Sequence, residues 1–368
     1  MTQNTKYKVG EYPSLPAPIT QTTLVGWLRK NLFATWYDSF LTITFLYLLG
    51  TIVPPALDWL FISADFYPAN RNECTSGGAC WGVVTRRMDQ FLYGFYPSSE
   101  YWRANTFFAL LIVAILPLLW DKTPYRKQMF MFAVAFPVLA YLLLFGGFGL
   151  PTVDTDKVGG LLLTVTLGVM GIALSLPIGI LLALGRRSEM PAVRFLCVFF
   201  IEFIRGVPMI SLLFMATVLL PLFLPKGISV DQLLRVTFIV IMFSSAYIAE
   251  VIRGGLQAIP KGQLEASQAL GLRYWKAMSL VILPQALKIS IPGIVNSFIG
   301  LFKDTTLVVI VGLFDLLGVG RAALSNKEWL GLSNEVYVFI AVVFFVFCYS
   351  MARYSQYLEV KLATDHKR

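Results

Sequence analysis

Long apolar stretches alternate along the chain with short polar stretches rich in Lys and Arg. A helix needs about 20 apolar residues to cross a hydrocarbon core of about 30 Å. Eight stretches meet or approach that length: 40–62, 104–120, 129–150, 160–184, 206–224, 235–253, 287–317 and 336–353. The pattern predicts an all-α polytopic membrane protein with about eight transmembrane helices. The seventh stretch is interrupted by Lys303 and Asp304, which predicts a full span followed by a partly wound extension. There is no internal repeat and no low-complexity tract.

Composition agrees with this reading. The 368 residues are 57% hydrophobic and only 14% charged, against about 25% charged in a soluble domain. A net charge of +9 would suggest nucleic acid for a soluble chain. In a membrane protein the location of the charge is the test, because Lys and Arg collect on the cytoplasmic side. With the tail 357–368 inside, eight spans put the N-terminal segment 1–39 inside as well. The inward segments then hold 20 of the 30 basic residues, among them Lys6, Lys8, Lys122, Arg186, Arg253, Lys367 and Arg368. This places both termini in the cytoplasm, with the bilayer as partner and no nucleic acid. The first 20 residues are polar and carry three prolines, so the first span is expected to serve as its own insertion signal.

The spans fall into two groups. Residues 40–150 carry three, rich in bulky aromatics, with an outward loop at 63–103. Residues 160–356 carry five, and begin with Gly159, Gly160, Gly168, Gly171, Gly179 and Gly185; small residues let membrane helices approach closely. The second group reads as the working unit and the first as an accessory. Before the first span, Leu24, Leu28, Leu32 and Trp36 recur at helical spacing beside Arg29 and Lys30. That is either an interfacial helix or a partly ordered lead-in.

Candidate chemistry is sparse. The single histidine, His366, lies in the charged tail, which argues against a zinc site or a catalytic triad. No catalytic, cofactor-binding or metal residue is expected. Cys197 and Cys348 sit in apolar surroundings, where cysteine behaves as a small hydrophobe. Cys74 and Cys80, in the outward loop, are either a short disulfide of an oxidising compartment or two free thiols.

The inward loop 255–286 is the most informative stretch. Pro260 suits the first turn of a helix, and Glu265 to Leu270 are mostly good helix formers. Ala266, Ala269 and Leu270 make one small apolar stripe. Gly271 can take positive φ and end the helix. A second helical stretch, 272–282, is expected before Pro284 opens the next span. Two short helices meeting at a glycine would present small side chains to a partner's groove.

Glu265-Ala266-Ser267, three residues, Gly271, nine residues, Val281, one residue, Leu283-Pro284 resembles the coupling loop of ATP-binding-cassette (ABC) importer permeases. Ser267 stands where that pattern has Ala, and Val281 where it has Ile. Three further stretches are similar to the polar amino-acid (histidine, glutamine, glutamate) branch of these permeases: Glu202-Phe203-Ile204-Arg205-Gly206-Val207-Pro208, Tyr247 to Gly255, and Phe302-Lys303-Asp304-Thr305-Thr306-Leu307. Val207 replaces the usual Thr. The resemblance covers about 160–356 and implies a type I ABC importer permease core in a bacterial inner membrane. The three extra spans resemble the large permease subunit of a general L-amino-acid importer.

The resemblance implies a set of partners. They are a cytoplasmic ATPase dimer docked on the loop 260–284, a periplasmic amino-acid-binding protein, and a second permease chain, an unlike one favoured over a copy of this one. ATP and magnesium belong to the ATPase, since this chain has no Gly-Lys dipeptide and so no phosphate loop of that type. Glu202, Arg205, Pro208, Glu250, Arg253, Lys303, Asp304 and Thr305 are candidates for the translocation path or its gating. Glu202/Arg205 and Glu250/Arg253 have the i, i+3 spacing of helix ion pairs, and charges at membrane depth face a cavity or a partner. The alternative is an ion-coupled secondary amino-acid transporter. It predicts inverted repeats, which the sequence lacks.

Overall fold

The computed structural model describes residues 23–362 apart from 120–122, 148, 226 and 228. The polar residues 1–22 with Lys6 and Lys8, Lys122, and the tail 363–368 with His366, Lys367 and Arg368 lie outside the described residues. The chain forms two units, 1–65 with 74–80 and 66–73 with 81–368.

In the first unit, α1 (Leu24–Asn31) is followed by α2 (Trp36–Leu57), which continues through a wide turn to Ile62. Thr35 and Asp38 cap α2 reciprocally, each side chain accepting from the other's backbone N–H at 3.2 Å. The lead-in is therefore a separate helix, but it stops short of its expected end: Leu32 is its C-cap and Trp36 opens the span. The span Trp36–Ile62 is 27 residues long with none buried. Cys74 and Cys80 are brought to bonding distance, with Cα atoms 5.8 Å apart.

The second unit holds everything else. Two short helices, α3 (Gly82–Arg86) and α4 (Met88–Tyr93), precede an apolar pair, α5 (Tyr101–Leu119) and α6 (Arg126–Phe145). The fully buried Arg103 ties this pair together. It donates to the carbonyls of Leu143 at 2.6 Å and Pro151 at 2.8 Å, satisfying acceptors left free where α6 ends. The centre is α7 (Gly160–Arg186), followed by α8 (Pro191–Gly206), α9 (Met209–Phe214, extended to Phe223) and α10 (Gln232–Ala258). Then come α11 (Lys261–Ala269), α12 (Tyr274–Ala277), α13 (Leu283–Asp304), α14 (Leu316–Leu324) and α15 (Ser333–Leu362).

Helices α7 and α10 run parallel. The neighbours 171/240, 179/248 and 187/256 advance together. Gly179 allows the approach, since a Cβ there would stand 2.7 Å from the Ile248 side chain and 3.1 Å from the Ser245 carbonyl. Gly171 does the same toward Leu301 and Val240.

Among the described residues, six helices are long and apolar enough to cross a membrane, and α8 with α9 forms a seventh candidate bent by 105°. With α5, helix occupies all eight expected positions. The fifth differs in shape. It is the second arm of a bent pair that starts at Pro191, not a straight helix over 206–224; Arg194, Glu202 and Arg205 dilute the apolar signal of α8, so hydropathy shows only that second arm. The break has a local cause: Pro208 disfavours helix at the residue before it, and Val207 is extended at φ −108°, ψ 133°. The seventh is interrupted as expected, α13 stopping at Asp304 and giving way to a 3-10 turn over Thr305–Val311.

The helical span ends at Val311, short of the expected 317, and Asp315 beyond it caps α14 by accepting from the Gly318 N–H at 2.9 Å. It is fully buried, and its other carboxylate oxygen has no hydrogen-bond partner among the described residues. Burial pushes its pKa up to about 6, against the opposing pull of the backbone N–H groups and Arg321. A carboxyl with a raised folded-state pKa contributes stability at low pH that is lost as pH rises to about 6. At neutral pH the loss is at most about 3 kcal/mol. Asp315→Asn keeps a capping oxygen and removes the charge. The variant should melt several degrees above the parent at pH 7.5 and no higher than it at pH 4.5. Equal shifts at both pH values would disprove this account.

Candidate functional site

Five charged side chains from three helices meet where α7, α8 and α10 end. Arg186 of α7 donates to Glu202 of α8 at 2.8 Å and to Glu250 of α10 at 3.2 Å. Arg253 donates its Nε–H to Glu250 at 2.6 Å, and Arg205 lies 3.7 Å from the same carboxylate. Glu250 thus gathers three guanidinium groups, and its side chain is only 19% exposed. The Arg253 pair is the expected i, i+3 contact. Glu202 and Arg205 do not pair with each other: Arg186, reaching across from the neighbouring helix, takes Glu202, and Arg205 turns to Glu250.

Arg205 also lies 5.6 Å over the ring of Tyr247, a cation–π contact. Tyr247 stands one turn before Glu250 on α10 and lines a cavity of about 300 Å³. Phe243 and Ser244 of α10 and Asn296, Ser297, Gly300, Leu301 and Asp304 of α13 complete the lining. The buried Ser244 hydroxyl has no hydrogen-bond partner among the described residues. A carboxylate, three hydroxyls and an amide in an otherwise apolar wall can meet a small polar molecule. Tyr247 joins this cavity to the charge cluster.

The structure separates the expected residues of the 303–305 stretch. Asp304 lines the cavity, whereas Lys303 is exposed. Thr305 is buried and donates to the Phe302 carbonyl at 2.7 Å, closing the junction between α13 and the 3-10 turn. Pro208 is the N-cap of α9, at the bend rather than in the cavity. Sequence reasoning missed Arg186, which it counted only toward orientation. It also missed Ser244, Asn296 and Ser297. Their signal was available: short polar side chains inside apolar spans.

The loop 255–286 is shorter and tighter than expected. The second helical stretch is not separate: α12 begins at Tyr274 and runs through a wide turn at Met278–Ile282 straight into α13. That turn re-registers the backbone ahead of Pro284, which has no N–H to contribute, so Pro284 lies within a continuous helical run. The end of α11 follows the glycine reading closely. Gly271 has φ 77°; its N–H donates to the Gln268 carbonyl at 2.8 Å, and that of Leu272 to Ser267 at 3.1 Å. This is a Schellman motif. Glu265, Ala266, Ala269, Leu270 and Gly271 are exposed, Leu270 at 82%. Ser267 turns inward and donates to the Leu264 carbonyl at 2.7 Å, so its departure from the alanine pattern is hidden from the outer surface. Leu283 is half-buried and Pro284 exposed.

Comparison with known proteins adds independent findings. Residues 175–364 match the family described as "Binding-protein-dependent transport system inner membrane component". The chain is 50% identical over 355 residues to the inner membrane amino-acid ABC transporter permease protein YhdY of Escherichia coli (strain K12), covering 96% of this chain and 97% of that protein. It is 43% identical to the glutamate/glutamine/aspartate/asparagine transport system permease protein BztC of Rhodobacter capsulatus, covering 96% of each. A solved structure described as an amino acid ABC transporter with histidines is 30% identical over 55% of this chain and 92% of that one, with a TM-score of 0.49.

The cluster geometry predicts unequal roles for its two carboxylates. Glu250→Gln takes the charged acceptor from Arg205 and Arg253, leaves Arg186 with Glu202 alone, and should lower stability by about 2 kcal/mol. Glu202→Gln strips only one contact from Arg186 and should cost less than half of that. Thermal melts of the two purified variants check the order; a larger loss for Glu202→Gln would contradict it.

Proposed function

The chain belongs to the family of binding-protein-dependent inner-membrane transport components, and from that premise we propose that it is the permease subunit of an ATP-driven importer of L-amino acids. The observation that carries the reading is the exposed helix end at Gly271. A glycine-terminated helix that shows Glu265, Ala266, Ala269 and Leu270 to solvent is a surface built for another chain, and its spacing matches the coupling pattern of these permeases. The two relatives similar along nearly the whole chain carry amino-acid transport in their names, which supports the substrate class. No observation favours the ion-coupled alternative.

The finer parts of the proposal extend that reading. ATP, with its magnesium, is bound by a separate ATPase that docks on α11 and the turn after it. A soluble binding protein delivers substrate from the opposite side. Both termini and the loop 255–286 face the cytoplasm, as the basic residues favour. One chain offers one such loop, so a second permease chain is needed for a second ATPase, and an unlike chain is favoured. Residues 40–150 act as an accessory region beside the core 160–356. The amino acid passes the cavity at Ser244, Asn296 and Asp304, and the cluster around Glu250 gates the path beneath it, with Tyr247 and Arg205 linking the two.

Affinity purification from mild detergent tests the docking. The parent should retain a soluble ATPase. Glu265→Lys and Gly271→Val should lose it, the second because a β-branched residue is strained at φ 77°. Uptake that persists after deletion of the ATPase would overturn the proposal.

A further inference from the structure

The charge cluster does not use all the basic side chains at this end of the core. Beside it lies a cavity of about 860 Å³ lined by Arg186, Arg187, Arg194, Arg253, Glu189 and Phe195, among others. Arg186 and Arg253 are neutralised by Glu202 and Glu250. Arg187 gives one N–H to the Leu256 carbonyl at 3.3 Å and makes no ion pair among the described residues. The Arg194 side chain is exposed and makes no ion pair among the described residues. Glu189 is the one acid of the lining. The cavity therefore carries excess positive charge.

Two further features bear on what fills it. The 16-residue helix α8 starts at the cavity wall with Pro191, and its N-cap, Met190, offers no side-chain acceptor. Pro191 has no N–H and that of Arg194 donates to the Met190 carbonyl at 3.0 Å, so the helix end offers an anion the N–H groups of Ala192 and Val193. From the same wall, Phe195, Phe199 and Phe203 run along α8 as an exposed stripe, their rings stacked at 6.2 and 5.9 Å. Cationic at one end and apolar along the next two turns, the surface matches one molecule with an anionic head and a hydrocarbon chain.

We infer that this cavity binds the phosphate headgroup of an anionic phospholipid from the cytoplasmic leaflet, with an acyl chain along Phe195, Phe199 and Phe203. Basic pockets between spans on the cytoplasmic side suit such headgroups. The inference rests on the orientation proposed above and not on the substrate. Arg187 also lines the cavity of about 390 Å³ behind α11, with Leu264 and Gln268. The bound lipid would thus brace the base of the loop that meets the ATPase.

The test uses the full transporter complex in nanodiscs of phosphatidylethanolamine with and without phosphatidylglycerol, followed by extraction and quantification of retained lipid. The parent should retain phosphatidylglycerol in preference. Arg187→Gln with Arg194→Gln should weaken retention by about thirtyfold, at about fivefold for each charge, and the Lys pair should keep most of it. Should the double variant fail to fold, Arg194→Gln alone, at an exposed side chain, should still show the single-charge loss. Unchanged retention in these variants overturns the inference. So does displacement of the lipid by inorganic phosphate, which would mark a site for free anions. A variant that sheds the ATPase while keeping its lipid also overturns it, because the arginines would then belong to a protein contact. None of these readouts depends on amino-acid uptake, so they stand apart from failure of the importer reading.

Discussion

Helices α7 and α10 lie against each other because glycines at 171 and 179 leave room for Val240 and Ile248. In lipid the hydrophobic effect does not drive two apolar helices together, so close van der Waals packing at small residues has to. The parallel register that results fixes what happens at one end. It brings Arg186 to Glu250 and Arg187 to the Leu256 carbonyl. A bulkier residue at 179 would separate the helices and carry the arginines out of reach of their partners.

The charge cluster is the electrostatic consequence of that packing. Charges near membrane depth are expensive unless paired, and Glu250 is paired three times over, by side chains from α7, α8 and its own helix. Such a cluster locks three helix ends together in one arrangement. Glu250 is the shared point: withdrawing α10 would strip Arg205 of its carboxylate and leave Arg186 with Glu202 alone. Arg205 shares its charge with the Tyr247 ring, so a change in the cavity that moves Tyr247 acts directly on the cluster. This is the physical basis for treating the cavity and the cluster as one device.

The loop at α11 is organised differently. Its backbone is held by its own hydrogen bonds, while its outward side chains are left without internal work. Ser267 and Leu264 face the protein, and Leu270 faces out. After the glycine turn at 270–273, α12 runs without a break into α13, the helix that carries Asp304 and Asn296. A single turn therefore separates α11 from the helical run that reaches the cavity.

Much of this was legible along the chain. Hydropathy located the long apolar helices, and the spacing from Glu265 to Gly271 located a short helix and its glycine end, because these are one-dimensional properties of residue type and separation. Gly271 was readable as a helix end since no other residue takes positive φ so cheaply. The bend at Pro208, the inward turn of Ser267 and the parting of Lys303 from Asp304 were not, for each depends on which face of a helix meets a neighbour. The partner of Glu202 shows the limit most clearly. Local spacing named Arg205, three residues away, but the shorter contact comes from Arg186 on another helix, and only the packing of α7 on α8 and α10 decides that.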